Sequence, residues 1–236
     1  MNYIDYGVLS AISGKIFRAT KPFPWLNPQD ALLPDAFSEL QNSLPDIGLF
    51  KKTVGIERSY GQKPHDRYEL KYDPALPLSP AWRSFIDEIF GEEYQRSIAR
   101  IFGTNNFTTR CQWQYAYAGC SVSPHCDSPT KLGSQIFYMN TPDDWKDEWG
   151  GRTLVLDDEG TKDHRSAPDL SEFRVAAASE IIPNRSFIFM RTNHSWHAVE
   201  ELTCPPGMYR KLFTVVFDRK PSLVAAAKRR LASFVR

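Results

Sequence analysis

The chain has 236 residues, of which 42% are hydrophobic and 13% aromatic, so it holds enough apolar material for one sizeable core. Its 29 Lys and Arg nearly balance its 28 Asp and Glu, which gives a formal net charge of +1. This composition speaks against wholesale disorder, and the charge balance speaks against a chain built to bind nucleic acid or an anionic membrane.

Cysteine usage and the N-terminal sequence indicate the compartment. The four cysteines, Cys111, Cys120, Cys126 and Cys204, form no C-x-x-C pair and are too sparse for a disulfide scaffold. The N-terminus lacks a basic segment followed by an apolar one, and no apolar run approaches the roughly 20 residues of a membrane span. The sequence therefore predicts a soluble, cytoplasmic protein with reduced thiols and no membrane partner.

The N-terminal part of the chain is predicted to support a β core. Residues 1 to about 77 contain frequent prolines, which predict short elements and ordered loops. The clearest helix begins at Ser79-Pro80, with serine as N-cap and proline in the first turn, and Gly91 ends or interrupts it. A second helical stretch follows and stops at Gly103.

After residue 105, short runs of β-branched and aromatic residues are separated by turn residues. The predicted strands are 108–117, 134–140, 152–157, 186–191 and 210–218. Strands at this spacing indicate a sandwich or barrel of the jelly-roll kind. The polar and then alanine-rich stretch 157–180 is predicted to be a loop or insertion, and the tail after Pro221 a basic amphipathic helix.

We therefore predict a single domain in three parts. Residues 1–105 would give irregular and helical support, residues 106–218 the β core, and residues 219–236 a C-terminal helix.

An H-x-D pair, His125 and Asp127, is the first sign of chemistry. In an extended segment, residues two apart point to the same side, so imidazole and carboxylate can converge while Cys126 faces away. With one distant histidine they would complete a two-histidine, one-carboxylate triad, which leaves three metal positions open. Alone the pair is weak, because a histidine capped by a neighbouring carboxylate gives the same pattern.

Two histidines compete for the third position. His197 is favoured because Ala198 and Val199 continue an apolar strand after it, whereas His194 lies in a polar turn. Downstream, Arg210 begins a strand that is apolar on both faces and would need an anionic partner there. Lys211 points to the opposite face by alternation and is the weaker candidate for binding an anion.

The order of these motifs carries a resemblance. H-x-D, F-Y-M-N, W-G-G-x-x-L-x-L, W-H-A-V and G-x-x-R-x-x-x-T-V-V-F follow one another over roughly residues 108–218. This order resembles the prolyl 4-hydroxylase-like branch of the Fe(II)/2-oxoglutarate-dependent dioxygenases. The resemblance implies a mainly β fold with flanking helices, built on a double-stranded β-helix of the cupin-like, jelly-roll type.

The resemblance also implies roles for individual residues. His125, Asp127 and His197 would be the catalytic iron ligands, and Arg210 would anchor 2-oxoglutarate. Tyr138 would place its hydroxyl on a carboxylate of this co-substrate.

A second co-substrate tyrosine is implied as well, and the sequence leaves open whether it is Tyr115 or Tyr117. Some relatives carry a serine where this chain has Leu212, which gives Tyr138 more weight as the hydroxyl donor.

The implied reaction is hydroxylation of an unactivated C–H bond in an amino-acid residue or a small metabolite. Fe(II), 2-oxoglutarate and molecular oxygen would take part, succinate and carbon dioxide would be co-products, and ascorbate is an optional cofactor. The substrate would be a small molecule or peptidyl, contacted by the N-terminal segment and the loops 128–134 and 141–150, and no nucleic acid is expected. The alternative is a cupin-like jelly roll that binds a metal or a sugar and does not use 2-oxoglutarate.

Overall fold

A computed structural model describes residues 2–221, which form five α-helices and eleven β-strands. The helices are α1 (Tyr6–Ala11), α2 (Gly14–Ala19), α3 (Pro34–Asn42), α4 (Pro80–Phe90) and α5 (Glu92–Phe102). The strands are β1 (Trp25–Leu26), β2 (Lys51–Thr53), β3 (Arg67–Lys71), β4 (Phe107–Ala116), β5 (Val122–His125), β6 (Lys131–Tyr138), β7 (Thr153–Asp157), β8 (Arg174–Ala178), β9 (Ser186–Met190), β10 (His197–Val199) and β11 (Arg210–Arg219).

The strands form two antiparallel sheets. The major sheet has the order β1-β9-β6-β11-β4-β3-β2, and the minor sheet has the order β5-β10-β7-β8. Tyr138, Phe187 and Leu212 of the major sheet share one buried cluster with Val155 of the minor sheet, so the two sheets pack face to face. The fold is mainly β with flanking helices in a jelly-roll arrangement, as the sequence predicted.

Strand β11 shows how the core is divided. Phe213, Val215 and Phe217 belong to the large cluster that also contains the buried faces of α4 and α5. Arg210 and Thr214, on the opposite face of the strand, line a cavity between the sheets. Because side chains alternate along a strand, one strand supplies both the helix-side core and the wall of the cavity.

The two predicted helices are confirmed at their ends. The Ser79 hydroxyl accepts a hydrogen bond from the Trp82 amide at 3.2 Å, which caps α4. Helix α5 ends at Gly103, whose φ of 73° lies in the left-handed region that glycine adopts without strain. Both helices pack their apolar faces on the outer side of the major sheet.

Two segments differ from the sequence-based expectation. Residues 157–180 contain strand β8, although a loop was predicted. Among the described strands β8 pairs only with β7, and it is mostly exposed. It therefore lacks the alternation of apolar and polar residues by which a strand is recognised in a sequence. The N-terminal part supplies β2 and β3, which extend the major sheet beyond β4. Of the predicted C-terminal helix, residue 219 belongs to β11 and residues 222–236 lie outside the described residues.

Removing the Phe213 side chain should test the helix-side core. The ring is fully buried and lies 5.0 Å from Trp82 and 5.1 Å from Trp113, measured between centroids. We expect Phe213→Ala to lower the free energy of unfolding by about 3–5 kcal/mol in urea denaturation. The control Phe90→Ala, at a ring that is 43% exposed, should cost far less. Equal losses for the two variants would contradict this description of the core.

Candidate metal centre

Two histidines meet because their strands pair. In the antiparallel register of β5 and β10, His125 lies directly opposite His197, and their ring centroids are 4.3 Å apart. Asp127 follows two residues after His125, with its Oδ1 3.9 Å from His125 Nε2. One possible ligand atom from each of the three residues lies within 4.8 Å of the others. The structure thus brings together the triad that the sequence singled out.

Hydrogen bonds fix the tautomer and the orientation of both imidazole rings. His125 Nδ1 lies 3.0 Å from the Ser123 carbonyl oxygen, and His197 Nδ1 lies 3.0 Å from the Ser195 carbonyl oxygen. A carbonyl oxygen only accepts, so each Nδ1 carries the proton and donates. The lone pair is therefore left on Nε2, the atom that faces the other members of the triad, and this is how histidine ligands are oriented around metals.

Burial sets the charges of the triad. Burial lowers the pKa of His125 and of His197 below the usual histidine value, so both rings are neutral at pH 7. Burial by itself would raise the pKa of Asp127, but the ammonium group of Lys131, whose Nζ is 2.9 Å from Oδ1, outweighs it. The net effect holds the pKa of Asp127 well below its usual range. Two neutral imidazoles and one carboxylate are the donor set that suits Fe(II).

His194, the rival candidate, lies elsewhere. Its Nδ1 is 2.7 Å from Asp158 Oδ2, and its side chain is 44% exposed. It does not line the cavity, whereas His197 does.

The triad forms part of the wall of a cavity of about 500 Å³ between the sheets, a size typical of small-molecule sites. Arg210 lines the same cavity and is only 4% exposed. Its Nη2 donates to Thr153 Oγ1 at 3.0 Å, and its Nε has no partner among the described residues. No carboxylate of the described chain pairs with this guanidinium, so a buried cation faces the cavity without a counter-charge.

Gly151 leaves the space that Arg210 occupies. A Cβ at this position would lie 3.1 Å from Arg210 Cδ and 3.3 Å from Trp145 Cζ2, and the φ of 79° is one that side chains rarely allow. The second glycine of the W-G-G motif is therefore required by the packing around the arginine. Lys211 points away from the cavity and pairs with Asp144 at 2.6 Å, as the alternation predicted.

Tyr138 lies beside Arg210, with the guanidinium carbon 5.4 Å from the ring centroid. Its hydroxyl is 2.9 Å from Thr153 Oγ1 and 2.6 Å from Ser179 Oγ, and the ring is fully buried. The structure therefore adds Thr153 and Ser179 to the surroundings of Tyr138 and Arg210, and of Tyr138, Thr153 and Ser179 only Thr153 lines the cavity. The sequence analysis missed both, since Ser179 follows a stretch without periodicity and Thr153 carries no motif of its own.

The prediction for Tyr115 and Tyr117 does not fit the structure. Tyr115 lies on the face of β4 opposite the cavity, where its ring packs on Phe50 at 4.4 Å. Tyr117 follows β4 and contacts Tyr68, with ring centroids 5.6 Å apart. Neither lines the cavity; on β4 the glutamines at 112 and 114 do. The alternation of β4 places odd-numbered residues on the helix side, so the assignment of a second co-substrate tyrosine is corrected.

The outer part of the cavity comes from the β2–β3 region. Arg58 and His65 precede β3 and line the cavity, and the His65 ring lies 4.7 Å from that of His125. A second cavity of about 380 Å³ shares these residues and Asp127. The predicted contribution of the N-terminal segment and of 128–134 fits this lining, whereas none of 141–150 belongs to it.

Residues 111–218 match the family model described as the 2OG-Fe(II) oxygenase superfamily. The matched region contains the triad His125, Asp127 and His197, and also Arg210. Residues 111–218 form a 2OG-Fe(II) oxygenase domain. The chain accordingly contains an oxygenase domain of the class that uses Fe(II) and 2-oxoglutarate. No curated protein matches the chain in sequence.

Solved structures share the fold of this oxygenase at low sequence identity. A prolyl-4-hydroxylase from Pseudomonas putida aligns with a TM-score of 0.61 and 16% identity, over 90% of this chain and 100% of its own. A prolyl hydroxylase from Trichoplax adhaerens, solved with a hypoxia inducible factor peptide fragment, gives 0.63 and 15%, over 89% of each chain. The α-ketoglutarate dependent epimerase SnoN of nogalamycin biosynthesis gives 0.58 and 11%, over 94% of this chain and 89% of its own. The shared fold therefore accompanies more than one reaction.

Within residues 2–221, no helix combines the length and the apolar character that crossing a membrane requires.

The buried histidines should make the metal-free oxygenase sensitive to acid. Burial lowers the pKa of His125, His197 and His65, to about 3 for His65. Below about pH 6.5 the unfolded chain binds protons that the folded chain does not, so the free energy of unfolding should fall with pH. Each histidine contributes up to about 1.4 kcal/mol per pH unit below pH 6.5.

Urea denaturation at pH 7.5, 6.5 and 5.5 measures this dependence. His65→Gln should reduce the pH dependence of the free energy of unfolding by the contribution of one histidine. Asp127 does not interfere, because its own contribution is lost only below about pH 4. Equal stability at the three pH values would contradict the neutral, buried state of these rings.

Proposed function

We propose that this oxygenase hydroxylates an unactivated C–H bond of a small metabolite or an amino-acid residue, with His125, Asp127 and His197 as its iron ligands. The observation that carries the proposal is the convergence of the three ligand atoms within 4.8 Å on the wall of a cavity. Both Nε2 lone pairs are free, and the carboxylate is ionised, so the donor set fits Fe(II).

Arg210 is proposed to bind 2-oxoglutarate. A buried guanidinium with an unpartnered Nε suits a carboxylate, which it can hold through two parallel hydrogen bonds. Thr153, already bonded to Arg210 and Tyr138, would orient the pair and offer a further hydroxyl. Tyr138 supports this end of the site through its contact with the guanidinium. A jelly roll that binds only a metal or a sugar would not require this buried, unpaired cation.

When bound, Fe(II) and 2-oxoglutarate would allow molecular oxygen, the oxidant, to hydroxylate a C–H bond, with 2-oxoglutarate oxidised to succinate and carbon dioxide. The chain's own contribution is positional. The carbonyls of Ser123 and Ser195 hold the two imidazoles in orientation. Phe189, with its ring centroid 4.9 Å from that of His197, and Leu212 give the inner cavity apolar walls that exclude water.

The state of the cysteines and the net charge bear on the compartment and on the class of substrate. The four cysteines are free and buried, which supports a reducing compartment such as the cytoplasm. The net charge of +1 gives no support for a nucleic-acid substrate. The Trichoplax relative was solved with a peptide fragment, so a peptidyl substrate stands beside a small molecule as a candidate.

Replacing Asp127 tests the iron site. With Fe(II) and ascorbate present, we expect Asp127→Ala to reduce the conversion of 2-oxoglutarate to succinate by more than about 100-fold. Replacing a residue that only hydrogen-bonds to a metal ligand already lowers metal affinity or activity by roughly 10- to 100-fold, and Asp127 is itself a proposed ligand. Metal titration followed by Co(II) absorption should show the same loss of affinity. His194→Gln is the matched control and should keep both signals. Unchanged succinate formation by the Asp127 variant would sink the assignment.

Replacing Arg210 tests the co-substrate site. A hydrogen bond to a charged group contributes about 1.5–3 kcal/mol, so Arg210→Met should weaken 2-oxoglutarate binding roughly 10- to 100-fold. Isothermal titration with Mn(II)-loaded protein measures the dissociation constant. Lys211→Met removes the neighbouring cation, which pairs with Asp144 outside the cavity, and should leave binding intact. If Lys211 rather than Arg210 controls binding, the anchor has been misassigned.

A further inference from the structure

We propose that the substrate of this oxygenase is a small molecule with a carboxylate group, and that Arg58 is the specificity-determining residue that binds it. This inference rests on the proposed function, because it concerns the part of the cavity that iron and 2-oxoglutarate do not occupy.

The cavity has an excess of positive charge. Six cationic side chains line it, against three carboxylates. The cations are Arg58, Arg67, Lys71, Arg110, Lys131 and Arg210, and the carboxylates are Asp66, Glu69 and Asp127. Fe(II) and 2-oxoglutarate carry opposite charges of equal size, so binding both leaves this excess in place. A cavity of this kind attracts an anion.

Most of the cations already have a partner. Four of them lie within 4.0 Å of a carboxylate oxygen: Arg67 and Lys71 on Glu69, Arg110 on Asp218, and Lys131 on Asp127. Arg210 is the proposed anchor of the co-substrate. The remaining cation is Arg58. No carboxylate oxygen of residues 2–221 lies within 4.0 Å of its guanidinium nitrogens.

Arg58 has few hydrogen-bond partners within residues 2–221. Its side chain is half-buried, and its one hydrogen bond among the described residues is a long contact of 3.5 Å from Nε to Gln62 Oε1. None of the Arg58 nitrogens is both buried and unpartnered, so the donors that the described chain leaves unused are open to solvent and available to an anionic ligand. Asp66, the unpaired carboxylate of the lining, has its Oδ1 2.9 Å from the Gly55 amide nitrogen, which donates to it.

The position of Arg58 suits a substrate group rather than the co-substrate. Arg58 lines both cavities, together with His65 and Asp127, so it lies where the second cavity meets the metal site. Arg210, in contrast, lies at the end formed by Thr153 and Tyr138. The planar fork of a guanidinium matches a carboxylate, and about 500 Å³ fits a co-substrate beside a small molecule.

Matched charged and neutral probes test the proposal without knowledge of the natural substrate. Protein loaded with Mn(II) and 2-oxoglutarate is titrated with benzoate or benzamide, and with hippurate or its amide, while the paramagnetic broadening of the probe's NMR signals is recorded. We expect the carboxylates to bind at least roughly tenfold more tightly than the amides. Arg58→Gln should abolish this preference, and Arg58→Lys should retain part of it. Arg96→Gln, at an exposed arginine on α5, is the matched control and should behave as wild type.

The outcomes separate this proposal from the one on which it rests. If wild-type protein fails to bind Mn(II) or 2-oxoglutarate, the proposed function is wrong. If it binds both but shows equal or no broadening for each probe pair, or if Arg58→Gln keeps the preference, the role of Arg58 is overturned. Weaker 2-oxoglutarate binding by Arg58→Gln would overturn it as well, by making Arg58 part of the co-substrate site. A preference seen only between a capped peptide containing glutamate and its glutamine counterpart would overturn the assignment to a small molecule.

Discussion

The pairing of β5 with β10 is the constraint on which the site depends. Antiparallel pairing sets His125 directly against His197, so the two imidazoles meet without any loop having to hold them. Strand β10 also pairs with β7, with His197 opposite Val155, which fixes its position from the other side. Since both histidines lie on paired strands, the backbone hydrogen bonds of the sheet fix their positions, whereas Asp127 follows the end of β5 and pairs with Lys131.

A second feature of the site is its unbalanced charge. Asp127 is neutralised by Lys131, while Arg210 lies buried between the sheets without a carboxylate partner from residues 2–221. A buried cation without a counter-charge destabilises the folded protein, so the position of Arg210 indicates that an anionic ligand binds there. Gly151, which leaves room for that side chain, shows that the surrounding chain is adapted to this arrangement. Arg58 lines the same cavity and has no carboxylate partner among residues 2–221, and it is the residue proposed to bind the anionic group of the substrate.

Much of the fold was predictable where a local pattern exists. The cap at Ser79, the left-handed Gly103 and the alternation of β11 each follow from neighbouring residues, and all are confirmed. The error at Tyr115 was avoidable, because C-Q-W-Q-Y alternates and the glutamines already indicated the polar face of β4. Strand β8 was not predictable, since an exposed edge strand needs no apolar face.

The sequence by itself determined the kinds of groups available: an H-x-D pair in an extended segment, a histidine before an apolar strand, and an arginine at the start of a core strand. These follow from local chemistry and from side-chain alternation. Only the tertiary structure decided which groups meet. His65, Thr153 and Arg58 come from distant segments without any shared motif, and they converge because seven strands and four strands pack face to face around one cavity.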